Sequence, residues 1–219
     1  MSLAHSPSIV TSNLMLYLDA ANPRSYPGSG TSWIDIGGNS NNGALSSGTS
    51  YNSTNGGVIV CNTSYVSIPS LNLIQDFTLE CWVNLTSVGG TVGFFGQGPT
   101  TPNQGLHVGW FPGRGLLFGM YANDLECPSY NMTYNTWHHF VYTYSNSTYF
   151  RQTFADNVLV ASATLSQYTG AGQFNIGAIF SSPSTLFTGN VAVAKAYNRV
   201  LTAAEITQNF NAMRGRYGV

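Results

Sequence analysis

The chain predicts an all-β fold: a sandwich of two antiparallel sheets with one short C-terminal helix. Three observations carry that prediction. Apolar residues recur with a period of two in several runs, which marks strands. Gly, Pro, Asn and Asp punctuate those runs as turn formers. Helical spacing appears in one segment, from Thr202 onward.

The elements follow in order. Leu14, Leu16 and Leu18 give one face of an opening strand. Pro23, Pro27, Gly28, Gly30, Gly37 and Gly38 then mark a long surface loop, with Trp33 and Ile34 as its expected anchors in the core. In DFTLECWVNL, Asp76 to Leu85, the residues Phe77, Leu79, Cys81, Val83 and Leu85 point one way. Thr78, Glu80, Trp82 and Asn84 point the other. Gly105 to Tyr121 reads as a hairpin whose turn carries Trp110, Phe111, Pro112, Gly113 and Arg114. Asp124 and Glu126 would share one strand face, but Pro128 predicts a loop there. Strands follow at Thr136–Tyr144 and Gly172–Gly177, with a hairpin turn near Asp156 and Asn157 between them. In the last strand Phe187, Gly189, Val191, Val193, Lys195 and Tyr197 alternate with Thr188, Asn190, Ala192, Ala194 and Ala196. Thr202 and Glu205 have the spacing of a capping box. A helix over 202–214 is expected, with Ile206, Phe210 and Met213 as its apolar stripe and Gly215 as its end. Arg214 and Arg216 suit the helix C-terminus.

Taken together, these motifs resemble LamG-like, concanavalin A-type jelly-roll domains. The matching residues are Phe77–Val83 ("FT-x-E-x-W-V"), Trp137–Val141 ("W-H-h-v"), Phe174–Gly177 ("f-x-I-G") and the closing strand, Asn198-Arg199 turn and capped helix. They cover most of the chain from about residue 58 onward. The opening, Asn13 to Leu45, resembles that of LamG-like domains common in bacteriophage and other viral structural proteins. The resemblance implies one concanavalin A-like jelly roll over 1–219, with residues 1–12 as an N-terminal arm and the first and last strands as neighbours. It also suggests Ca²⁺ at one edge, for which Asp19 and Asp35 are the candidates; the competing reading is Asx turns.

Composition narrows the partners. A chain of 219 residues suits one large β domain. Only 7% of residues are charged, against about 25% on average, while 43% are hydrophobic and 13% aromatic, which excludes disorder. Seven Lys and Arg, scattered in a chain of net charge −1, make no basic stripe for nucleic acid. No apolar run reaches the roughly 20 residues of a membrane span. The start, MSLAHSPSIVTS, lacks the pattern of a secretory signal. That suits a virion-surface protein assembled inside the cell, and equally a piece of a larger extracellular protein. Cys61, Cys81 and Cys127 indicate neither a zinc site nor a complete disulfide set.

No enzyme is expected. Glycoside hydrolysis needs two carboxylates about 5 to 9.5 Å apart across the scissile bond. The eight acids are dispersed, and no E-x-D-x-x-E strand is present. His138 and His139 fall on opposite strand faces, while His107 and His5 stand alone. Binding is the expected chemistry. Trp82 with Glu80 would offer a stacking ring beside an acceptor for sugar hydroxyls, unless a loop or second layer buries the indole. Trp110, Phe111 and Arg114 at the hairpin tip would meet a saccharide, a second subunit or a capsid surface, unless a long loop packs over them. Two functions therefore stand open: a non-enzymatic virion surface protein, of the capsid-decoration or fibre-head type, held by contacts with itself or other subunits; and a carbohydrate-binding adhesin of cell-surface glycans. No cofactor beyond the Ca²⁺ suggestion is expected.

Overall fold

In a computed structural model describing residues 7–86 and 90–219, the alternating runs become strands of two antiparallel sheets. In chain order these are β1 (Leu14–Asp19), β2 (Ser32–Trp33), β3 (Gly43–Leu45), β4 (Thr49–Asn52), β5 (Val58–Ser64) and β6 (Val66–Ile68). Then come β7 (Phe77–Leu85), β8 (Val92–Gln97), β9 (Leu106–Phe111), β10 (Gly115–Met120) and β11 (Asp124–Cys127). The chain closes with β12 (Trp137–Tyr144), β13 (Phe150–Ala155), β14 (Val158–Thr164), β15 (Phe174–Ile176), β16 (Phe187–Tyr197) and the helix α1 (Ala203–Tyr217).

The first sheet runs β14-β13-β12-β7-β16-β5-β4, with β1 also paired to β16; the second runs β11-β10-β9-β8-β15-β6-β3-β2. Their inner faces share a core that includes Leu16, Leu18, Phe77, Leu79, Cys81, Phe118 and Phe140. The expected pairing of first and last strands is present, with Leu18 opposite Ala194. Trp33 is fully buried as expected, but Ile34 is not an anchor. Side chains alternate along an extended chain, so an inward Trp33 leaves Ile34 37% exposed.

The last strand departs from simple alternation. Its register against β7 shifts between Val191 and Val193, a β-bulge that turns the following residues over. Val191 faces the sandwich core, whereas Val193, Lys195 and Tyr197 face outward, beneath the helix. The helix begins with the expected capping box, Thr202 accepting from Glu205 N–H and Glu205 accepting from Thr202 N–H. It does not stop at Gly215. It continues to Tyr217, whose ring stacks on Trp82, and Gly218 at φ 72° supplies the left-handed end.

That helix covers the outer face of the first sheet. Trp82 is fully buried, stacked on Phe210 with 5.6 Å between ring centroids and on Tyr217 at 4.4 Å. Glu80 is fully buried as well. Its Oε1 accepts from Lys195 Nζ at 2.6 Å and His139 Nε2 at 2.9 Å, and its Oε2 from Asn209 Nδ2 at 2.7 Å. Burial pushes the Glu80 carboxyl up, but the Lys195 charge and the His139 hydrogen bond outweigh it and hold it at about 2. The Trp82–Glu80 row is thus an interface between sheet and helix: of the two uses the sequence left open, a second layer buries the indole, and Trp82 and Glu80 are not available to stack on a sugar.

Candidate functional site

With one sheet's outer face closed by the helix, the second sheet's outer face is the one to follow. Registers align one row across all eight of its strands: Ser32, Ala44, Ser67, Asn175, Gly96, His107, Gly119 and Asp124. Small residues fill most of that row, so side chains with chemistry collect at the β9–β11 end.

There β9 contributes His107 and Phe111, four residues apart and hence on one face. The tight turn after Phe111, closed by Arg114 N–H to the Phe111 carbonyl, brings Arg114 back toward β11. Against the sequence expectation of a loop, Asp124–Cys127 forms a strand, because β10 offers an open edge and its register pairs Phe118 with Leu125. Asp124 and Glu126 therefore share the outer face, and Arg114 lies between them. Its Nη2 donates to Asp124 Oδ2 at 2.7 Å and to Glu126 Oε1 at 2.6 Å, and its Nε to Glu126 Oε1 at 2.8 Å. Gly119 leaves room for His107 Nε2 to reach 3.3 Å from Asp124 Oδ1; a Cβ there would strike the imidazole. Burial raises the Asp124 carboxyl, but hydrogen bonds from His107 and Arg114 dominate and hold it well below the usual carboxylate range.

Rings surround this polar group. Phe111, Tyr121 and Phe180 lie 6.1, 6.4 and 5.2 Å from the His107 ring by centroid. Tyr121 is 38% exposed, while Phe111 and Phe180 are half-buried. Phe180 arrives from the segment between β15 and β16, fixed by its N–H to the Leu106 carbonyl. From behind, the buried Arg151 guanidinium donates to the Asn123 and Ser166 carbonyls and lies over Phe118 and Tyr144. Burial pulls that guanidinium down to about 10.

Of the residues singled out in the sequence, Phe111 and Arg114 are here. Trp110, next to Phe111 on a strand, points to the opposite face and packs on the core beside Tyr130. Trp82 and Glu80 lie under the helix on the other sheet. The sequence pairs Asp124 and Glu126 on one face but assigns them to a loop, and it gives His107, Tyr121 and Phe180 no part in a site. The i, i+4 spacing of His107 and Phe111 and the i, i+2 spacing of the two acids were the available signals; Phe180 has none, since a crossover delivers it.

The calcium candidates do not fit a cation. Asp35 accepts the backbone N–H groups of Tyr17, Gly37 and Asn41. Asp19 accepts from Ala21 N–H and pairs with Arg216 at 2.7 Å. Donors that aim positive hydrogens at these oxygens oppose a bound Ca²⁺. Among the described residues no three His, Cys, Asp or Glu side chains gather as a metal site. No helix of the described chain is long and apolar enough to cross a membrane.

Solved structures share this architecture at low identity. Domain 4 of AbnA, a GH43 extracellular arabinanase from Geobacillus stearothermophilus solved with arabinotriose, superposes with TM-score 0.69 at 16% identity, over 90% of this chain and 98% of that one. Trypanosoma rangeli sialidase gives 0.73 at 16% identity over 95% of this chain, which spans only 34% of the sialidase. The binding domain of botulinum neurotoxin DC, in complex with SialylT, gives 0.66 at 11% identity over 93% of this chain and 52% of that one. Such likeness establishes the fold. No curated protein sequence matches this one. A family model described as the concanavalin A-like lectin/glucanases superfamily (Laminin_G_3) matches residues 61–207. With two-thirds of its length in that match and both sheets and the capped helix in place, the chain belongs to the concanavalin A-like lectin/glucanase superfamily.

Proposed function

We propose that this chain is a non-catalytic saccharide-binding domain whose site is the outer face of the second sheet at β9–β11. The observation that carries the reading is the grouping of partly exposed Phe111, Tyr121 and Phe180 around Arg114, Asp124 and Glu126. Aromatic faces stack on sugar C–H groups, and a fixed guanidinium and carboxylates match paired hydroxyls. The likeness to domains solved with arabinotriose and with SialylT adds support. A catalytic reading is disfavoured by the Arg114 guanidinium between the two acids. A general acid needs a raised pKa, and Asp124 is shifted the other way. The chain's own ion pairs and Asx turns occupy Asp19 and Asp35, so the reading calls for no metal.

An extracellular setting, or the surface of a virion, suits such a domain. The virion placement, with self-association or contacts to other subunits, rests on the opening pattern of Asn13–Leu45 and the 7% charge content. Mass spectrometry and immuno-electron microscopy of purified particles test it, and absence of the chain from particles rejects it.

The binding test is a glycan array followed by calorimetry. Tyr121→Ala and Phe111→Ala should each weaken the bound saccharide about tenfold, near the 1–1.5 kcal/mol of an aromatic contact. Trp82→Phe, under the helix, should leave affinity unchanged. If no saccharide binds, or if Tyr121→Ala binds as tightly as the parent, the reading fails.

A further inference from the structure

We infer that the β9–β11 face selects uncharged saccharides and discriminates against those capped by an acidic sugar; this rests on the saccharide-binding reading above. A sugar carboxylate is held most strongly by a guanidinium or ammonium free to form a charge-assisted pair. Arg114 is the only Lys or Arg on this face among the described residues, and it already answers two carboxylates, Asp124 at 2.7 Å and Glu126 at 2.6 Å. Two carboxylates on one guanidinium leave Arg114 no unshared charge for a third.

The rest of the described chain supplies no Lys or Arg in its place. Arg151 and Lys195 are fully buried, Lys195 on Glu80. Arg199 pairs with Glu205 and Arg216 with Asp19. Arg24 precedes β2, at the far edge of the sheet, and Arg214 lies on the helix that covers the other sheet. What remains for a ligand is hydroxyl chemistry. Arg114 Nη1 has no protein acceptor among the described residues, and Glu126, with a 42% exposed side chain, presents its second oxygen as an acceptor. One donor and one acceptor beside the Phe111 and Tyr121 rings match adjacent hydroxyls above a sugar ring's C–H face.

The experiment titrates the whole chain with neutral pentose and hexose oligosaccharides, and with the same hexose oligosaccharides capped by sialic acid. It is run at about 20 mM and about 500 mM NaCl. The capped sugar should bind about fivefold more weakly than its neutral parent at low salt, the effect of one unit charge near 4 Å in water. The gap should shrink at high salt. Glu126→Gln, an exposed change that leaves Arg114 paired with Asp124 alone, should close most of the gap at low salt. Equal or tighter binding of the capped sugar by the parent chain overturns the inference while the saccharide reading stands. So does a gap that Glu126→Gln leaves unchanged. Binding of none of these sugars removes both.

Discussion

Replacing Glu80 by Gln would leave the Lys195 ammonium fully buried with no counter-charge, which is why this one residue matters out of proportion to its size. Breaking a buried ion pair from one side costs about 3 to 5 kcal/mol. The same group sets an acid limb of stability. Its carboxyl sits at about 2 in the folded chain against an ordinary 4.5. A depressed folded value means the stabilisation is fully present above about pH 4.5 and is lost as pH falls through about 2. The difference is worth about 3 kcal/mol at neutral pH. Urea unfolding of Glu80→Gln at pH 7 should therefore show a loss of that order, and its stability should fall less steeply than the parent's between pH 4.5 and 2. Asp124 and Glu205, also held low, titrate in both chains and cancel in the comparison. A parent and variant with parallel pH profiles would show that Glu80 is not ionised in the fold.

At the scale of elements, the helix end yields a pair of opposite predictions. Gly215 lies inside α1 with nothing within 4 Å of an added Cβ, so Gly215→Ala should gain the helix-propensity difference, about 0.5 to 1 kcal/mol. Gly218 sits at φ 72°, where a Cβ is penalised, so Gly218→Ala should lose about 1 kcal/mol. In a chain of this size that is a rise and a fall of about 2 to 4 °C in Tm. Both shifts falling in one direction would move the end of the helix. The sequence made Gly215 the stop because the stripe was followed only to Met213. Tyr217 extends it, and nothing local reveals that Tyr217 has Trp82 to stack on. The same limit explains the other misses. Alternation separated the two faces of β7 correctly, because a period of two is a local property. Which face is open is decided by a helix more than 100 residues later in the chain. The Ala192 bulge is invisible in an uninterrupted VAVAKA pattern, yet it turns Lys195 toward Glu80. In the candidate site, Phe111 and Arg114 were legible as turn residues, whereas Phe180 reaches them only through the fold.

At the scale of the molecule, the two outer faces divide the labour. The first sheet's outer face is spent on closure: α1 lies across it, and the chain before β1 binds both α1 and β16. Val10 N–H donates to Asn209 Oδ1 at 2.8 Å, and the Val10 carbonyl accepts from Tyr197 Oη at 3.0 Å. Ser8 and Ser12 carbonyls accept from Gln208 and Arg199. Because Asn209 also donates to Glu80, this segment supports the buried charge network from above. Deleting residues 1–12 removes two buried hydrogen bonds and the burial of Val10, a loss of about 2 to 4 kcal/mol. The urea midpoint should fall accordingly. The candidate site lies on the other sheet, with the sandwich core between, and among the described residues none of its side chains bonds residues 8–12. Saccharide affinity of the folded, truncated chain should therefore stay within about twofold of the parent. A truncation that weakens binding as much as Tyr121→Ala, in protein still folded by circular dichroism, would mean that closure and recognition are coupled through the core.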